Sequence, residues 1–191
     1  MAKSEKQKLK LLYIIQCLME KTDEEHAVTT QEIIDYLALQ GITAERKSIY
    51  TDIDLLIDFG MDIIKKPGRS GGYTLASRQF ELAELKLLVD AVQSSKFITT
   101  KKSRELIGKL ETLCSKYEAT QLHRQVVVTN RNKAINENIY YNVDIIYNAI
   151  AENVKIQFQY FEWDVNKEMH LRRNGKVYEV SPWLLTWDDE N

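Results

Sequence analysis

Three stretches constrain this chain more than any others. They are Thr30-Gln-Glu-Ile-Ile-Asp-Tyr-Leu37, Gly41-Ile-Thr-Ala-Glu-Arg-Lys-Ser-Ile-Tyr-Thr-Asp-Ile53 and Pro67-Gly-Arg-Ser-Gly-Gly-Tyr73. The first two carry apolar residues at helical spacing on either side of a glycine. The third is a turn rich in glycine, with basic residues around it and short apolar runs flanking it. Two short helices joined by a turn, then a hairpin with a basic tip, is a shape whose helix and tip match the grooves of duplex DNA.

The helical pattern extends on both sides. Residues 4–20 place Leu11, Leu12, Ile15, Leu18 and Met19 on one face. Thr22 to His26 reads as a polar break, after which Thr29 or Thr30 can cap the next helix with Glu32 nearby. Thr43 is placed to cap a third helix running to about Phe59, with Ile49, Ile53, Leu56 and Ile57 inward and Lys47, Ser48, Thr51 and Asp54 outward. Gly60 stops it. Asp62–Lys66 and Tyr73–Leu75 are short strands around the turn. This predicts a winged helix-turn-helix over 1–78.

Two helices are expected next, Glu81–Ser95 and one from Thr99 or Thr100 to about Tyr117. They form a linker or dimerisation region over 79–141, within which Val126–Val128 is a possible strand. From 142 to 191 the pattern predicts a helix at Asn142–Asn153 and a strand at Lys155–Trp163. An Asn-Gly turn follows at Arg173–Gly175, then strands at Lys176–Val180 and Pro182–Trp187. The fold class expected is α+β, mostly α. An apolar strand followed directly by Asp188–Asn191 leads us to expect that further chain, or a partner, completes the sheet.

Charge places a condition on any DNA affinity. The formal net charge is −2, and residues 1–78 carry 11 Lys/Arg against 12 Asp/Glu. Affinity must therefore come from where the cations sit. Arg46 and Lys47 occupy the first turn of the third helix, with Arg46 partly toward its core flank and better suited to phosphate than to bases. Ser48, Tyr50 and Thr51 follow on the polar face, and Thr30 opens the preceding helix. Lys65, Lys66 and Arg69 belong to the hairpin. Asp52 and Asp54 would repel phosphate, so they are expected to turn sideways or form internal ion pairs.

Other chemistry finds little support in the residues. Cys17 and Cys114 stand far apart and lie on helical stripes, as packed thiols do. His26, His123 and His170 are isolated in sequence, so neither metal nor cofactor is expected. Asp188, Asp189 and Glu190 read as a solvated turn. No phosphate-binding glycine loop and no Ser/His/Asp set is present, so no catalytic residue is expected and the chain reads as a non-enzyme. No stretch approaches a membrane span, which makes the cytoplasm the expected location.

Arg46-Lys-Ser-Ile-Tyr-Thr-Asp-Ile-Asp-Leu-Leu56, with its following glycine and the Gly71-Gly-Tyr73 wing, resembles the recognition helix of bacterial WYL-domain transcriptional regulators. Glu81–Ser95 resembles the central helix of that family. Ile156–Phe161 and Tyr178–Trp187 resemble the opening strands of its sensor, a small Sm-like β-barrel. Thr51 stands where many relatives have arginine, and the Trp-Tyr-Leu signature would fall beyond Asn191. The resemblance implies a ligand-responsive, DNA-binding homodimer with a nucleotide, nucleic acid or other small effector. It implies ligand contacts at Tyr160, Arg172 and Trp183. The unrelated expectation is an adaptor whose winged helix binds protein rather than DNA.

Overall fold

The computed structural model describes residues 6–68, 71–124, 133, 138–166 and 168–186. Arg69, Val126–Val128, the side chain of His123, Trp187 and the Asp188–Glu190 run lie outside them. The fold is mixed α and β, mostly helical, with small antiparallel sheets. It divides into two units. One comprises Met1–Ser94 with Ser103–Asn130, the other Ser95–Lys102 with Arg131–Asn191. No helix of the described residues is long and apolar enough to cross a membrane.

The first unit opens with α1 (Lys10–Lys21), α2 (Thr30–Leu39) and α3 (Arg46–Asp58), followed by β1 (Ile63–Lys65) and β2 (Tyr73–Leu75). Their apolar stripes meet in one core. Ile14, Leu18, Ile33, Leu37, Ile49 and Ile53 have no exposed surface, and Ile42, Leu56, Ile63, Tyr73 and Leu75 close around them. Apolar burial of this kind is worth about 1.5–3 kcal/mol per large side chain.

Local chemistry fixes the ends of these helices. Thr29 is the N-cap of α2. Its hydroxyl accepts the Glu32 N–H, and the Glu32 carboxylate accepts the Thr29 N–H at 2.7 Å, a reciprocal pair that leaves fewer orphan donors. Gly41 follows α2 at φ +73°. Thr43 does not cap α3 as its position predicts. The helix begins at Arg46 after an extended Glu45, with no side-chain cap, and the Thr43 carbonyl instead accepts from Gln7.

β1 and β2 pair antiparallel, Ile63 opposite Leu75 and Lys65 opposite Tyr73. Val28 bonds to Tyr73 in both directions, at 3.0 and 2.8 Å, which docks the hairpin on the segment before α2. Gly72 permits that approach. A Cβ added there would overlap the Val28 carbonyl oxygen and lie 2.8 Å from its carbon. Both are backbone atoms, so relief requires opening the bridge. Gly72→Ala is therefore expected to cost about 2–4 kcal/mol, read as a lower urea midpoint. An unchanged midpoint would show that the bridge can open at no cost.

α4 (Leu82–Ser94), α5 (Thr100–Glu111) and α6 (Lys116–Arg124) follow. The single helix expected from Thr99 to Tyr117 is in fact two. Thr99 caps α5 through the Lys102 N–H. The chain then breaks, and Ser115 opens α6 with a second reciprocal cap: its hydroxyl accepts the Glu118 N–H, and Glu118 accepts the Ser115 N–H. Leu85, Val89, Ile107, Cys114 and Leu122 form the core of this part. Both cysteines are buried and free, and burial pushes each thiol up to about 11, which leaves them inert at neutral pH.

The second unit contains α7 (Ile139–Glu152), ended by Asn153 in the left-handed conformation, then β3 (Ile156–Gln159), β4 (Phe161–Trp163), β5 (Met169–Leu171) and β6 (Val177–Val180). The strand expected over Lys155–Trp163 is split at Tyr160. β3 pairs with β6, Phe158 opposite Tyr178, and β4 pairs with β5, Phe161 opposite Leu171. The expected strand at Pro182–Trp187 is absent over 182–186, which have no regular structure. The Sm-like barrel is not found either: the described strands form two-stranded sheets that do not close. Two short ladders cannot enclose a core, and among the described residues of this unit only Thr99 and Ala149 are buried.

Candidate nucleic-acid interface

The inward stripe of α3 buries Ile49, Asp52, Ile53 and Leu56, which turns the opposite face to solvent. Arg46, Lys47 and Thr51 are exposed there, and Tyr50 is exposed at one edge. The Thr51 hydroxyl donates to the Lys47 carbonyl at 3.2 Å. The N-terminal half of α3 is therefore cationic and polar. Its C-terminal half carries Asp54 and Asp58, so the end suited to an acidic duplex is the beginning of the helix.

Ser48 does not share that face. It is half-buried, and its hydroxyl accepts from Lys10 Nζ at 2.5 Å. Asp52, one turn on, pairs with the same ammonium at 2.6 Å. Asp54 pairs with Lys65 of β1. Asp52 is thus largely buried in its ion pair, whereas the pair of Asp54 with Lys65 is exposed to solvent. Sequence reasoning missed Lys10. The signal was present, because Ser48 and Asp52 are an i, i+4 polar pair on the flank of an apolar stripe.

The hairpin cations are committed within the unit. The hydrogen bond to Asp54 raises Lys65 above its ordinary value and holds it against α3. Lys66 Nζ donates to the Glu24 carbonyl at 3.2 Å. Thr30 is the first residue of α2 and half-buried, beside the capping Thr29. Arg69, the remaining hairpin cation, is outside the described residues.

The polar break at Thr22–His26 is a junction rather than a loose loop. Thr22 is fully buried, donating to the Leu18 carbonyl at 2.7 Å and accepting from the Leu75 N–H at 3.0 Å. Asp23 accepts from the backbone of Glu25 and His26, from His26 Nδ1 at 2.6 Å and from Ser115 Oγ at 2.5 Å. The His26 ring stacks on Tyr117 with centroids 3.7 Å apart. His26 is thus not isolated. Neither is His170, whose Nε2 lies 3.2 Å from Asp164, with Glu168 in the same turn. There Asp164 also accepts the N–H groups of Asn166 and Glu168, which accounts for the cluster as turn structure.

Of the three residues assigned to a ligand, Tyr160 and Arg172 are neighbours through their backbones. Tyr160 packs edge-on against Phe158 and Tyr178, at 5.1 and 5.3 Å. Its carbonyl accepts the Arg172 N–H at 2.8 Å, which is backbone pairing. Trp183 is 85% exposed, beyond the last described strand.

Residues 12–68 match the family model described as FokI, D3 domain. Curated proteins and solved structures gave no match. The matched span covers α2, α3 and most of α1. It overturns the resemblance to WYL-domain regulators, since the helix that carried that resemblance lies within the span that matches the FokI D3 domain. It equally overturns the reading of the chain as a non-enzyme, because the family matched is that of an enzyme. The physical reason is common to both errors. A helix and its turn report the surface they fit, and that surface is the same whether the rest of a protein regulates or cuts.

Proposed function

We propose that the first unit binds duplex DNA, with the N-terminal half of α3 in the major groove and the β1–β2 hairpin beside it. This is the winged helix-turn-helix reading. The observation that carries it is the sidedness of α3: Arg46, Lys47, Tyr50 and Thr51 face solvent, while Ser48, Asp52 and Asp54 are held by lysines of the same unit. A helix so arranged offers cations and hydroxyls to phosphates and base edges, with Asp52 turned inward and the exposed Asp54 offset by Lys65. The match to the FokI domain supports the reading, since a restriction endonuclease acts on duplex DNA. In that family, recognition serves cleavage. Use of the same unit in a ligand-responsive regulator no longer has a resemblance to stand on.

Fluorescence anisotropy on a labelled duplex at several salt concentrations tests the proposal. Steep salt dependence is expected, and Arg46→Ala/Lys47→Ala should reduce the log–log slope by about 2, or about 1 for each phosphate no longer neutralised. A twofold-symmetric selected sequence would indicate binding as a homodimer. Absence of duplex binding at low salt would end the proposal. A second reading, an adaptor for protein, is favoured by Leu55 and Phe59. They stand one turn apart on an edge of α3, 51% and 82% exposed. Salt-insensitive association through that edge would support it.

A further inference from the structure

Lys10 lies on α1, outside the surface assigned to DNA, yet its ammonium grips α3 at two points. Ser48 Oγ is 2.5 Å away and Asp52 Oδ2 2.6 Å, one helical turn apart. The pair is largely removed from water, with 13% of the Lys10 side chain and 10% of the Asp52 side chain exposed. Around it the core that α3 enters is apolar, Ile49, Ile53 and Leu56 joining Ile14, Leu18 and Leu37, and a second ion pair on the helix, Asp54 with Lys65, is exposed. Aliphatic packing is non-directional: it holds the apolar stripe inward but defines the helix's rotation less sharply than a directed polar contact. A charge held between two oxygens a turn apart defines it closely. Rotation of α3 would lengthen both contacts together and leave a carboxylate buried without its partner.

We propose that Lys10 is the positioning residue that sets the rotation of α3, and hence which of its side chains face outward. The consequence for DNA rests on the reading given above. Lys47 and Thr51 lie one turn apart on the outward face, in the same spacing as Ser48 and Asp52 on the gripped flank. Fixing one pair fixes the other. The grip contributes orientation more than stability. Replacing a buried ion pair with well-packed apolar residues is often neutral or stabilising, whereas removing one partner is strongly destabilising.

The test uses the full chain with Lys10→Met/Asp52→Leu, which removes the pair without changing net charge, and with Ser48→Ala, which removes one of the two oxygens that hold the ammonium. The first readout is the set of residual dipolar couplings of the α3 amides relative to those of α2, which needs no DNA. The expected result is a melting temperature within a few degrees of wild type and a changed α3 orientation in the double variant, with a smaller change in Ser48→Ala. Couplings indistinguishable from wild type in both variants would overturn the proposal. The second readout is duplex binding after selection from a random 30-base-pair pool. The double variant should retain the wild-type salt slope and lose at least about tenfold in its preference for the selected duplex over a scrambled one, or 1.4 kcal/mol. Full retention of that preference would also overturn it. Failure of the wild-type chain to select any duplex would sink the DNA reading, while the couplings would still decide the role of Lys10.

Discussion

Ile53→Ala is expected to remove about 2–5 kcal/mol from the stability of the first unit, the range for emptying a fully buried isoleucine site. Ile53 has no exposed surface and sits mid-helix on the inner stripe of α3, flanked by Ile49 and Leu56. The core it enters is drawn from three helices and a hairpin, so no single element can move in to fill the space without giving up its own packing. Domains of this size have a total stability of only about 5–15 kcal/mol. The substitution should therefore bring much of the unit to the edge of unfolding at 37 °C. Denaturant titration followed by circular dichroism measures it. A loss below about 1 kcal/mol would mean that α3 is not anchored where the structure places it, and the outward face would lose its basis too.

Asp23→Ala is expected to cost about 2–4 kcal/mol, although the residue belongs to a loop. Its carboxylate accepts from four donors, one of them the fully buried Ser115 hydroxyl of the segment opening α6. Alanine would leave that hydroxyl and the His26 and Glu25 N–H groups to find other partners. The ionisation of Asp23 adds a pH signature. Burial pushes its carboxyl up, but the hydrogen bonds from Ser115 and His26 outweigh burial and hold it below the ordinary range. A group whose folded value is depressed stabilises the fold above its unfolded value, about 3.9. That contribution disappears as pH falls through the folded value. The difference in stability between wild type and Asp23→Asn should be constant above about pH 5 and shrink below about pH 4. A difference that grows on acidification would contradict the hydrogen-bonding scheme.

Much of the first unit is legible in its residues. The stripes of α1 to α3, the Thr29–Glu32 cap, the glycines that end α2 and α3, and both strands of the hairpin follow from spacing and from what glycine and threonine do locally. The errors share a cause. Thr43 looks like a cap, but a cap acts only if the backbone turns at that residue, and here the turn comes at Glu45. Ser115-Lys-Tyr-Glu118 carries the signature of a helix start, yet the helix expected from Thr99 or Thr100 runs across it to about Tyr117. Lys65 and Lys66 count as cations of the hairpin, but their partners, Asp54 and the Glu24 carbonyl, are distant in the chain.

What the residues alone determined, for α1 to α3 and the β1–β2 hairpin, is which segments form helices and strands and which faces of them are apolar, since both depend on neighbours within a turn or a pleat. They also determined that a helix with a polar face precedes a hairpin, because three short stretches suffice to build it. Only the tertiary structure decided which of the polar residues are presented to a partner. Ser48 and Thr51 look alike along the chain, but a lysine some forty residues earlier turns one inward and leaves the other in water. Asp23 and His26 read as a break until Ser115 and Tyr117, about ninety residues on, make them a junction. Electrostatic pairing acts through space, and periodicity along a chain can mark a polar flank without naming the distant partner it will meet.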